Sequence, residues 1–321
     1  MRVPKQRGPV SGWVCAVMRG HNGPVPALAA GSVINDADVQ LALWMIYELH
    51  YRGFDDVPDD VEWTLSLIQL RRDIEVRFEA ELRAATAPLP TVEEDLGQQV
   101  LDIAEADRGP SLALFLQREA DAGQMCDYLR ERSITQLKES DPHSFVLGRL
   151  EGLPKVALAE LQYDEYGGGR LDRLHARLYA QALQAAGLDP TYGAYIDQVS
   201  AVTLATANVM SMFAMNRRFR GASMGHLAVF EATSSVPCRR IAAGLDRLGF
   251  PAEVAVYFEE HIEADAVHEQ LAARDICAPM AADHPHLSPD ILFGAAVCLY
   301  LEGLAGADLL TRWRPEARVA S

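Results

Sequence analysis

The chain has 321 residues, 49% of them apolar and 23% charged, which is ordinary globular composition. A chain of that length can bury a core without disulfides or a structural metal. Its 29 basic and 45 acidic residues give a formal net charge of -16, which repels phosphate backbones and anionic membrane surfaces. The basic runs Arg217-Arg218-Phe219-Arg220 and Arg239-Arg240 are short and isolated, so neither nucleic acid nor a membrane is an expected partner.

Residues 1–30 hold four prolines and four glycines and read as a flexible, turn-rich lead-in. A helix then starts at Asp36 as cap, runs through ADVQLALWMIYELHYRGF and ends by Gly53. VEWTLSLIQLRRDIEVRFEAELRAA follows with helical spacing. TVEEDLGQQVLDIAEAD comes next, with Thr91 and Glu94 in a capping-box pattern. Residues 31–110 thus form a helical N-terminal extension, and residues 111–321 the core.

The core is expected to open with one helix over about 111–140, stopped at Asp141-Pro142. PKVALAELQYDEYGGG carries its proline in the first turn. LDRLHARLYAQALQAAGL stops at Gly187. QVSAVTLATANVMSMFAMNRR is apolar all round and reads as a central buried helix. HLAVFEATSSVPCRRIAAGLDRLGF, PAEVAVYFEEHIEADAVHEQLAA and ILFGAAVCLYLEGLAGADLLTRW complete an all-α chain. No strand pattern, internal repeat, P-loop, serine elbow or apolar run of membrane-span length is expected. Cys15, Cys126, Cys238, Cys277 and Cys298 are scattered without a CxxC pair, and the N-terminus has no continuous apolar stretch of a signal peptide. Both features fit a protein of the reducing cytoplasm.

The clearest chemical signal is HIEADAVH. His261, Asp265 and His268 stand at i, i+4 and i+7, within about 60° of one another on one helix face. Two imidazoles and a carboxylate on one face are suited to a divalent transition metal. A second cluster is DEYGGGRLDRLH, where three glycines interrupt a helical pattern between Glu165 and His175. An unbroken helix would set those two residues about 15 Å apart along its axis, too far for one dinuclear centre. A glycine-induced break brings them together; if residues 166–170 are instead helical, Asp172 is the better partner for His175. Glu139, just before the Asp141-Pro142 turn, offers a third carboxylate. Glu231 sits in a helix expected near the pocket, in an outer or a packing role. Glu48 and His50, two residues apart and on nearly opposite faces, read as packing of the extension.

The four motifs LWMIYELHYRGF, QLKESDPH, DEYGGGR and HIEADAVH, in this order, resemble the heme-oxygenase-like di-iron oxidases and oxygenases, the iron-containing redox enzyme family. The resemblance spans roughly residues 40–312. It implies a heme-oxygenase-like helical bundle and a metal site of Glu139, Glu165, His175, His261, Asp265 and His268. It also implies two irons cycling between Fe(II) and Fe(III), with O2 as co-substrate and a small amine- or amino-acid-derived molecule as substrate. N-oxygenation or oxidative C–H or C–C chemistry in secondary metabolism is the expected reaction class. An electron donor and a homodimer stay open. Two alternatives belong to other classes: a cofactorless heme-oxygenase-like ring oxidase, and a non-catalytic helical binding protein.

Overall fold

A computed structural model describes residues 1–21, 23–106 and 111–313, without the side chains of 263–266. Among the described residues the regular structure is helical, as the sequence implies: α1 (Pro9–Met18), α2 (Ala37–Glu48), α3 (Leu65–Ala85), α4 (Leu96–Glu105), α5 (Leu112–Arg118), α6 (Ala122–Gln136), α7 (Asp141–Leu147), α8 (Gly152–Glu165), α9 (His175–Ala185), α10 (Ala201–Met215), α11 (Arg220–Ala232), α12 (Ser235–Leu248), α13 (Ala252–Gln270), α14 (Ala278–Asp283) and α15 (Ser288–Trp313). A π-helical stretch, Leu271–Cys277, joins α13 to α14 without a break.

The central helix is α10, buried from Val202 to Ala214. Its start is capped by the Ser200 hydroxyl, which accepts from the Thr203 amide. Residues of α1, α2 and α3 pack with α10 in one apolar cluster. A second cluster joins α4, α8, α11, the π-helical stretch and α15, and a third joins α5, α6, α9, α12 and α13.

Several local expectations are corrected. The lead-in is not irregular throughout, because residues 9–18 form α1 and bury Val14 and Met18. Its cap comes from another helix: Asp38 of α2 accepts from the Val10 amide at 2.8 Å and the Ser11 amide at 2.7 Å. Such a tertiary cap leaves no mark in the local sequence. The helix over 111–140 is two, α5 and α6, because Asp121 caps a new start in a reciprocal box with Gln124. α4 is capped by Asp95, not Thr91. Finally, the helical stretch Pro285–Trp313, with a mean hydropathy of 1.5, is long and apolar enough to cross a membrane by composition alone. Half of its apolar window is buried inside the molecule, where α15 packs on α11.

The contact between α11 and α15 is close because glycine faces backbone on both sides. A Cβ built on Gly225 would lie 1.9 Å from the Ile291 carbonyl oxygen, and one on Gly294 would lie 1.9 Å from that of Ala222. Either Gly225→Ala or Gly294→Ala is therefore expected to push the helices apart at a cost of about 1–3 kcal/mol. Thermal unfolding followed by circular dichroism should register the loss as a Tm lower by several degrees.

Two buried histidines make folding pH-dependent. Burial pushes His143 down to about 4 and His226 down to about 3, so both are neutral in the native state. In the unfolded chain they titrate near 6.5. Their contribution is present above about pH 6.5 and is lost as pH falls towards 4 and then 3. His226 lies parallel to the Phe230 ring at 6.4 Å. His226→Phe is expected to flatten the fall in unfolding free energy between about pH 6.5 and 3, measured by urea titration at each pH.

Candidate metal centre

Four helices and one turn end or pass at one buried point. Glu139 sits in the turn between α6 and α7, and Glu165 is the last residue of α8. His175 is the first residue of α9, and His261 and His268 lie on α13. Glu231 is next to last in α11. All six side chains are buried.

The glycines create the junction between α8 and α9. Residues 167–169 and 171–173 form two short 3-10 turns in place of α-helix, and the three glycines have φ of 72°, 61° and 79°. Those angles lie in the left-handed region that side-chain-bearing residues avoid. The chain doubles back, and His175 Nδ1 comes to 3.0 Å from Glu165 Oε2. Asp172 points elsewhere: it is exposed and pairs with Arg170 at 2.8 Å. The partner of His175 is therefore Glu165.

The donor atoms fall into two groups, each within 4.8 Å across. Glu139, Glu165, His175 and His261 make the first; Glu165, Glu231 and His268 make the second. Glu165 belongs to both. His261 Nε2 is 3.4 Å from Glu139 Oε2, and the His175 and His261 rings are 4.5 Å apart. His268 Nδ1 is 3.4 Å from both Glu165 Oε1 and Glu231 Oε2. Its Nε2 lies 3.5 Å from Asp164 Oδ2.

Asp265 lies among the residues whose side chains are outside the description, although α13 runs through its position. Glu231, ranked low from the sequence, is brought to the centre. Its chain neighbours Phe230 and Ala232 line the adjoining cavity, while Glu231 turns to His268.

An outer ring of hydrogen bonds aims these groups. Tyr257 Oη donates to Glu139 Oε2 at 2.8 Å, and Gln136 Nε2 to Glu139 Oε1 at 3.2 Å. Ser140 Oγ donates to Glu165 Oε2 at 2.8 Å. His261 Nδ1 lies 2.8 Å from the Tyr257 carbonyl oxygen. With its proton on Nδ1 the imidazole donates there and presents Nε2 as a ligand, the usual arrangement for a metal-bound histidine. The Glu48 carboxylate, fully buried at the end of α2, receives Lys138 at 3.1 Å and the Tyr192 hydroxyl at 2.6 Å. His50 is held separately, 2.7 Å from Glu62. The pair Glu48 and His50 thus serves packing, with Glu48 gripping the residue next to Glu139.

Electrostatics explains what the site lacks on its own. Burial by itself raises the Glu165 pKa, but His175, then His261 and His268, hold it down at about 2. Burial raises that of Glu231. Three buried carboxylates facing three imidazoles call for cations at their centre. An all-oxygen and imidazole donor set fits first-row transition metals such as iron. The residues present therefore fit a metal at each of the two groups.

Residues 126–303 match the family model described as iron-containing redox enzyme, a span that takes in every residue of both groups. No curated protein matches the chain.

The loop geometry makes a specific demand on Gly167. A Cβ there would lie 2.6 Å from both the Arg173 carbonyl carbon and the Leu174 nitrogen. Gly167→Ala is expected to part Glu165 from His175 and to weaken Fe(II) binding by about 10–100-fold in anaerobic titration. Gly168→Ala, whose Cβ meets only Tyr163 at 3.8 Å, carries the φ strain without the clash and should weaken it less.

Proposed function

This chain belongs to the iron-containing redox enzyme family, and from that premise we propose that it is a non-heme di-iron oxidase or oxygenase acting on a small amine- or amino-acid-derived substrate. Family membership makes it an oxidoreductase with the all-helical heme-oxygenase-like fold. The observation that carries the finer reading is the sharing of Glu165 between two donor groups. A single buried carboxylate, with Oε2 directed at His175 and Oε1 at His268, would serve both groups.

Glu139, Glu165, His175 and His261 would hold one iron, and Glu165, Glu231 and His268 the other; Asp265, a ligand by its spacing in the sequence, has its side chain outside the description. When bound, the pair would supply the electrons that reduce O2 and the oxidising power applied to the substrate. The protein's own part is positional. Tyr257, Gln136 and Ser140 fix the carboxylates so that they need not reorganise on binding. Burial shifts Glu231 towards its protonated form, so a cation held there would compete with that proton. Burial of every donor keeps bulk water from the reacting atoms.

A cavity of about 490 Å³ leads to this centre. Of the two donor groups only Glu139 and His261 are among its lining residues, so a substrate in it would meet the first group. Its mixed lining, with Thr135, Thr203, Thr206, Tyr179 and Tyr257 beside Leu299 and Ile241, suits a small polar molecule with an aliphatic part.

Anaerobic Fe(II) titration of the purified apoprotein tests the reading, with bound iron measured after desalting. Wild type is expected to take about two irons per chain and to consume O2 when exposed to it. Glu165→Ala should lose both irons, whereas Glu231→Ala and His268→Ala should each retain about one. Full iron content in Glu165→Ala, or in His261→Ala combined with Asp265→Ala, would overturn the assignment.

A further inference from the structure

The wall of the cavity on α6 is a continuous stripe. Tyr128, Arg132, Thr135 and Gln136 face it, and Glu139 follows at the inner end. These residues recur at helical spacing, so the stripe runs from Tyr128 to the centre along one face. Within it sits a charged pair that the oxidation chemistry leaves unused. Arg132 Nη1 lies 3.0 and 2.9 Å from the two carboxylate oxygens of Glu302 on α15. Both residues line the cavity. The Arg132 side chain is 17% exposed, that of Glu302 36%, and Arg132 Nε is buried without a hydrogen-bond partner.

Such a pair is a poor choice for stability alone. With Glu302 about a third exposed, solvent screens the attraction, and an ion pair of this kind adds little to stability. Of the other charges lining the cavity, Glu131 is committed to Arg312 and Thr203, and Arg240 to Ser111. Next to Glu302 on α15, the small residues Gly303, Ala305 and Gly306 also line the cavity. A Cβ built on Gly303 meets nothing within 4 Å. There is room beside the two charged groups.

Charge balance selects the ligand. Arg132 is already neutralised by Glu302, so a lone carboxylate would meet the guanidinium and the opposing Glu302 charge together. A lone ammonium faces the mirror-image problem. A molecule carrying both charges on adjacent atoms fits the pair in antiparallel register, carboxylate to Arg132 and ammonium to Glu302. Length follows from the helix. Arg132 and Gln136 stand one turn apart on α6, roughly 6 Å at 1.5 Å per residue, and Glu139 follows in the turn beyond the helix end. An extended chain advances about 1.2 Å per bond, so about five to eight bonds cover the distance once contact distances are allowed for.

We propose that the Arg132–Glu302 pair is the substrate-anchoring subsite of this cavity, binding the zwitterionic head of a free α-amino acid whose unbranched side chain extends along α6 towards Glu139 and His261. The proposal rests on the reading of the centre as the site of oxidation, and narrows its substrate class from amines in general to free α-amino acids. Arg132 and Glu302 are positioning residues here. They hold the end of the substrate remote from the chemistry.

Three probes separate the charges at constant chain length: L-norleucine, hexanoate, which lacks its amine, and pentylamine, which lacks its carboxylate. Binding is measured by isothermal titration calorimetry on iron-loaded protein under argon, with iron content determined on the same samples. L-Norleucine is expected to bind at least about tenfold more tightly than either single-charge analogue. Arg132→Gln and Glu302→Gln should each weaken it by at least about tenfold with iron content unchanged. Gly303→Leu leaves both charges in place and fills the space beside them, so it should abolish binding even if the charge variants fold poorly. Equal affinity for the three probes, no detectable L-norleucine binding, or unaltered binding in Gly303→Leu would each overturn the proposal. Iron content reports separately on the centre: a wild-type protein that binds no iron yet binds L-norleucine in this pattern would refute the di-iron reading and keep the subsite.

Discussion

Everything at the centre depends on the meeting of Glu165 with His175. One carboxylate, buried and shared between two sets of donors, cannot be left alone in a low-dielectric interior. His175, His261 and His268 face it and hold its pKa down, and the same arrangement could hold cations. The demand then passes to the backbone. Two side chains ten positions apart must touch, which a continuous helix forbids, and the glycines with positive φ are the means of return. A segment that costs helix propensity at three successive positions is accounted for by one 3.0 Å contact.

The surrounding helices serve that contact by fixing its neighbours. α6 ends just before Glu139, and α13 supplies Tyr257 one turn before His261, so one residue both orients a carboxylate and accepts at its carbonyl from an imidazole. α2 reaches the same region from the N-terminal part of the chain. Its last residue, Glu48, holds Lys138 within an aromatic surround of Tyr51, Trp44 and Tyr192. The helices before residue 110 therefore bear on the centre through a buried ion pair as well as through apolar packing. The close backbone approach of α11 to α15 has a related effect, because Glu231 on the first of these helices and Glu302 on the second flank the centre and the cavity respectively.

The parts of this arrangement legible in the sequence are those with a period or a conspicuous interruption. His261 and His268 announce themselves by spacing on one helix face, and the triple glycine between Glu165 and His175 marks a turn that needs a reason. The helical class follows from apolar periodicity, and α10 from its apolar character on every face. What was hidden depends on contacts distant in sequence. α1 is capped by Asp38 across a helix boundary, so a count of prolines and glycines mistakes it for irregular chain. Glu231 lies in a run of apolar residues with no partner at i+3 or i+4 of metal-binding type, and only the packing of α11 against α13 gives it one. The break between α5 and α6 turned on whether Asp121 is read as a helix interior residue or a cap, a choice that its box with Gln124 decides.

The two donor groups are unequal in their access, and that inequality orders the chemistry. Glu139 and His261 look into the large cavity, while His175 also lines a smaller cleft with Asp164, Arg173 and Glu260 beside the glycine turn. A molecule anchored at Arg132 and Glu302 advances on the centre from the α6 side and reaches the first group before the second. Glu165, Glu231 and His268 of the second group are not among the residues lining that cavity. Glu165 links the two groups, with Oε2 against His175 of the first and Oε1 against His268 of the second.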